Sequence, residues 1–110
     1  MSEQVAELLV KAKELIADPE RWCQGRVAKD SLGRPTYPNS GNATAWCAFG
    51  ALERLAPTPD VVSSAVDFLG AFTDGESIGY WNDHHTHAEV MELFDRAIEM
   101  ANREETGGAS

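Results

Sequence analysis

The stretch that most constrains this chain begins at Thr86-His87-Ala88-Glu89. A threonine followed three residues later by a glutamate is a capping box, whose hydroxyl and carboxylate satisfy amide donors reciprocally. Val90, Leu93, Phe94, Ala97, Ile98 and Ala101 then recur at helical spacing, with Glu92/Arg96 and Glu99/Arg103 as i,i+4 pairs on the outside. A helix with one apolar stripe must bury that stripe. The rest of the chain therefore has to supply covering elements. Residues 105–110, with Gly107-Gly108, are expected to fray into a flexible C-terminal tail, leaving one helical domain over 1–104.

Two further stretches answer that need. Val5, Leu8, Leu9, Ala12, Leu15 and Ile16 give residues 3–17 a second amphipathic stripe, supported by Glu7 and Lys11 at i,i+4. Thr58-Pro59-Asp60 reads as cap, first helical position and an acidic residue at the positive end of the dipole, opening a helix along Val62, Ala65, Val66, Leu69 and Phe72. Between them, Ala43 to Leu55 is small and apolar on nearly all sides, which predicts a central helix with Cys47 near its start. Gly50 costs such a helix about 1 kcal/mol relative to alanine, so its expected use is close approach of another backbone. Ser77 to His85 reads as a short aromatic and polar connector.

Residues 25–42 hold Gly25, Gly33, Pro35, Pro38, Asn39, Gly41 and Asn42 with no sustained apolar period. They predict a long loop, with a short hairpin around Asp30-Ser31-Leu32-Gly33 as the minority reading. The fold expectation is mainly α, a compact single-domain bundle of about four helices, in which the first and last pack around the helix containing Cys47.

Charge narrows the functional classes. Eighteen acidic residues against nine basic ones give a net charge of −9, which repels a phosphate backbone and argues against direct nucleic-acid binding. Residues 19–42 run against that trend, since Arg21, Arg26, Lys29 and Arg34 face only Glu20 and Asp30; the segment is +2 and the remainder −11. No window approaches the roughly 18 apolar residues of a membrane span, and Ser2-Glu3-Gln4 is no secretory leader. A cytoplasmic protein with Cys23 and Cys47 as thiols is the expectation. The commonest motifs for phosphate, dinucleotide, zinc-protease and serine chemistry are absent.

Three residue groups are left as site candidates. Cys47 near a helix start, with His84 or His85 as base, is the candidate for thiol catalysis. Trp46-Cys47-Ala48-Phe49-Gly50-Ala51 is similar in outline to the nucleophile helix of papain-like proteases, with the order of Trp and Cys reversed and no glycine-rich oxyanion segment before it. His85-Thr86-His87 with Asp83 offers ligand types suited to a transition metal, but the spacing is not diagnostic and no metal or other cofactor is expected. Trp22, Trp46 and Trp81, with Tyr37 and Tyr80, could line a cleft between residues 21–37 and the Trp81-Asn82-Asp83 turn, in which Arg21, Arg26 and Arg34 would face a small anionic or nucleotide-type ligand. The structural alternative gives Trp81, Asn82 and Asp83 the job of turning the chain into the last helix.

Trp22 through Gly25, Asp30-x-x-Gly33, Trp46 through Leu52, Ile78 through Asp83 and the final stripe together resemble a family of small bacterial and phage proteins classed as a domain of unknown function. The resemblance spans roughly residues 5–103, and its most specific parts are the Cys-x-x-Gly-Ala core helix and the Trp-Asn-Asp turn. It implies a compact helical fold and a phage or mobile-element setting, and brings no activity with it. The expected function is a non-enzymatic acidic interaction module that binds a protein partner. The ligand binder or thiol enzyme using the 21–37 cleft is the alternative.

Overall fold

A computed structural model describes residues 2–107. The first stripe forms α1 (Ser2–Leu15) and the capping-box helix forms α5 (His87–Gly107); α2 spans Ala48–Leu55, α3 Pro59–Gly70 and α4 Ile78–Asp83. α5 thus continues three residues into the stretch assigned to a tail, and 108–110 lie outside the described residues. The caps are as read: Thr58 accepts from the Val61 amide at 3.4 Å, while Thr86 and Glu89 exchange bonds of 3.2 and 2.8 Å. The fold is mainly α, with one two-stranded sheet.

The core is made by the expected stripes. Leu9, Ala12 and Ile16 of the α1 region meet Val90, Phe94, Ala97 and Ala101 of α5, all fully buried. α1 also packs on α2 and α3, so α1 is the helix common to the bundle, where the sequence reading had put the Cys47 helix. The α3 stripe is rotated from expectation. Val61, Ala65 and Leu69 are its buried positions, whereas Val62 and Val66 remain half-buried.

Three local assignments are corrected. Ala43–Trp46 is a strand, β2, so the core helix begins at Ala48 and Cys47 is its cap. Residues 25–42 are not one loop: Ala28–Asp30 form β1, antiparallel to β2 with Ala28 opposite Trp46. Ser77 to His85 is no connector, because Ser77 caps α4 through the Tyr80 amide. The minority hairpin is present. Gly33 donates to the Asp30 carbonyl at 3.0 Å, Lys29 bridges to Pro35, and Gly33 takes φ +82°, a conformation glycine adopts without strain. On its other edge β2 meets Trp22 in parallel, with the Cys23 amide donating to the Trp46 carbonyl at 3.1 Å.

Candidate functional site

The motif residues converge on Asn82, which is fully buried. Its Oδ1 accepts from Trp22 Nε1 at 2.7 Å and from the Ala48 amide, the first of α2, at 3.0 Å. Its Nδ2 donates to the Cys23 carbonyl at 3.0 Å and to Asp83 Oδ1 at 3.2 Å. All four hydrogen-bonding positions of the amide are used, as a buried amide requires. Around it, Gln24 Nε2 reaches the carbonyls of Asn82, Asp83 and His85, and Asp83 Oδ1 accepts from the Gly25 amide at 2.8 Å. Residues 22–25, the start of α2 and the end of α4 are thereby tied into one junction.

Cys47 belongs to the same junction. Its Sγ accepts from the Gly50 amide at 3.3 Å as the cap of α2, and it is 3% exposed. Burial raises its pKa despite amide bonds that favour the thiolate. Cys23 is likewise buried, and burial pushes its thiol up to about 11. The imidazoles face elsewhere. His84 Nδ1 and His85 Nδ1 lie 2.8 and 2.7 Å from the carbonyls of Tyr80 and Trp81, and their rings stack on those same side chains at 4.0 and 3.7 Å. A carbonyl only accepts, so both Nδ1 atoms carry the proton, and both histidines cap the exposed carbonyl end of α4. His87 uses Nε2 in the same way on the Ile16 carbonyl. The structure brings no imidazole to Cys47 in its described bonds and ring contacts, and among the described residues no group of three or more His, Cys, Asp or Glu is placed to hold a metal ion.

The aromatic cleft is not assembled as drawn from the sequence. Trp46 is buried, donating to the Pro38 carbonyl at 2.9 Å beneath the Arg54 guanidinium. Trp81 stands on the His85 side, Tyr37 is 81% exposed, and no described cleft is lined by more than one of the five aromatics. The arginines brace the hairpin, Arg26 Nη1 donating to the Gly33 carbonyl and Arg34 Nε to Asp30 at 3.1 Å; Arg21 is exposed. Asp30 is held below the usual carboxylate range, chiefly by the Arg34 backbone amide.

A cleft does open between residues 25–27 and α4. It holds about 410 Å³ and is lined mainly by apolar groups, among them Val27, Phe49, Val66 and Ile78, with Arg26 and Asp83 also in its lining. Phe49 and Val66 also line a second depression of about 640 Å³ along α2 and α3, beside Val62, Glu53 and Asp67. The two share Phe49 and Val66, and the larger is the groove along α2 and α3. Sequence reasoning missed it because Val62 and Val66 were assigned to the core; the four-residue spacing Val61-Ala65-Leu69 already offered a complete buried stripe that leaves the other two valines outside.

A family model matches residues 1–100, that of a family of unknown function, DUF6197. The chain belongs to DUF6197. No curated protein and no solved structure matches it. Of the stretches by which the sequence resembled such a family, Trp22 through Gly25, the start of α2 and the end of α4 meet at Asn82 in this DUF6197 member, and the groove lies beside that junction. Among the described residues no helix is long and apolar enough to cross a membrane.

Proposed function

We propose that this DUF6197 protein is a non-enzymatic, acidic interaction module that receives a protein partner in the groove along α2 and α3, in the cytoplasm of a bacterium or in its phage. The observation that carries this reading is the double apolar surface of α3. Val61, Ala65 and Leu69 already fill the core, yet Val62 and Val66 line the groove half-buried beside Phe49. Apolar surface left over after the core is complete is the usual mark of a contact site. Glu53 and Asp67 stand beside it and the chain carries −9 overall, which favours a partner with an apolar segment flanked by basic residues. The buried, capping Cys47 supports a binding role over thiol chemistry.

The test is affinity capture from bacterial lysate with wild type and with Val62→Glu, at low and high salt. A partner retained by wild type, released by salt and lost with Val62→Glu is expected; a partner retained equally by both would remove the groove from the account.

Arg26 in the lining of the smaller cleft favours a second reading, a small anionic ligand in a volume within the roughly 300–1,000 Å³ of ligand sites. Thermal shift against nucleotides and organic acids tests it. No stabilisation at millimolar ligand would end it.

A further inference from the structure

We infer that a second copy of this chain docks on the first, each seating its 30–37 turn in the groove of the other. Leu32 and Tyr37 are 74% and 81% exposed, more than any other large hydrophobic described. They project from a turn that is braced from within. The Asp30 carboxylate accepts from the Leu32 and Arg34 amides at 2.9 Å each, the Asp30 amide donates to the Arg34 carbonyl at 2.9 Å, and Arg26 holds the Gly33 carbonyl. Such a turn loses little freedom on docking, which removes one of the main costs of association.

The charges of turn and groove are complementary. Arg26 and Lys29 stand beside the turn as its uncompensated charges, since Arg34 and Asp30 pair with each other; the groove offers an apolar floor with Glu53 and Asp67 beside it. Turn and groove are also neighbours on one molecule, because Asn39, two residues past Tyr37, lines the groove. With turn and groove this close, a two-fold axis can seat both turns in both grooves at once and close the assembly at a dimer, where a one-way contact would propagate. The net charge of −9 on each copy keeps the dimer weak.

Sedimentation of the purified chain tests this, with Leu32→Asp on the turn and Ser63→Arg in the groove; both positions are exposed, so both variants fold, as circular dichroism will verify. Wild type is expected to pass from monomer to dimer between ~10 μM and ~1 mM, the range of a weak interface, and each variant to associate at least ~10-fold more weakly. An equal mixture of the variants is expected to dimerise better than either alone. In the mixed pair one contact is intact, and in the other the introduced carboxylate and guanidinium face each other. A wild type that stays monomeric to ~1 mM, variants that associate as wild type does, or a mixture no better than its components would each overturn the proposal. Failure here leaves the partner reading standing, since no partner is present.

Discussion

Replacing Gly50 by alanine sets two effects of opposite sign against each other. In a helix the change from glycine to alanine is favourable by at most about 1 kcal/mol, the value of an interior position, and Gly50 lies in the first turn of α2. At this position, however, a Cβ would stand 1.9 Å from the Val27 carbonyl oxygen and 2.9 Å from its carbon. Real Cβ contacts do not fall below 3.0 Å, so Val27 and α2 must separate by at least 3.0 − 1.9 = 1.1 Å. That same oxygen accepts from the Cys47 amide at 3.2 Å, and Val27 leads directly into Ala28 of β1, which is fully buried. Overpacking costs about 1–3 kcal/mol and the lost hydrogen bond about 1 more. Set against that gain, Gly50→Ala should destabilise by about 1–3 kcal/mol, a fall in Tm of roughly 5–20 °C for a chain of this size. Differential scanning calorimetry reads it, with Gly70→Ala as control. Gly70 also lies in a helix but has nothing within 4 Å of an added Cβ, so its variant should melt at or above the wild-type temperature. A Tm for Gly50→Ala equal to wild type or higher would refute the close approach.

Three further outcomes follow from the junction and its surroundings. Asn82→Ala leaves Trp22 Nε1, the Ala48 amide and the Cys23 carbonyl without their partner, at roughly 1–3 kcal/mol for each group, so urea unfolding should show a loss of at least about 3 kcal/mol. The Cys23 thiol, raised to about 11 by burial, should react with a disulfide reagent at pH 8 at least about 10-fold more slowly than a free thiol, and at the free rate in urea. Because the folded pKa is the higher one, the associated stability is complete below the unfolded value and is lost as pH rises through about 11. Asp30 and Glu89 behave oppositely, the first held down chiefly by the Arg34 amide and the second by the Thr86 amide. The stability they bring is present above their ordinary 3.8 and 4.5 and is lost as pH falls through the lower folded values, so Tm should drop on acidification and drop less in Asp30→Asn.

The long helices were legible because stripe and cap agreed. Thr58-Pro59 and the Thr86/Glu89 box mark starts that periodicity alone would leave open, and Gly50 could be read as a close approach because a mid-helix glycine among small residues needs a reason. β2 was hidden for a physical cause. Ala43–Trp46 has only four residues, with Thr44 its one exposed position, too few to display an alternation that would separate it from a buried helix. Cys47 caps α2 with sulfur, outside the usual set of capping residues, so the helix start was placed five residues early. α4 has only six residues and cannot display a period. The start of α2 and the Trp81-Asn82-Asp83 turn do meet, through the Ala48 amide and Asn82. What could not be read was the content of that meeting, since a buried asparagine bonding four groups across 60 residues of sequence looks no different in a sequence from one that serves a local turn.

The groove gives the account its functional content, and a photoreactive amino acid placed at Ser63 inside it tests that content most directly. Irradiation of the full-length protein in bacterial lysate is expected to yield a discrete adduct with another protein that disappears at high salt, while the same group at Arg96 on the outer face of α5 yields none. Equal adducts from both positions, or none from Ser63 beyond the chain's own dimer, would contradict the account.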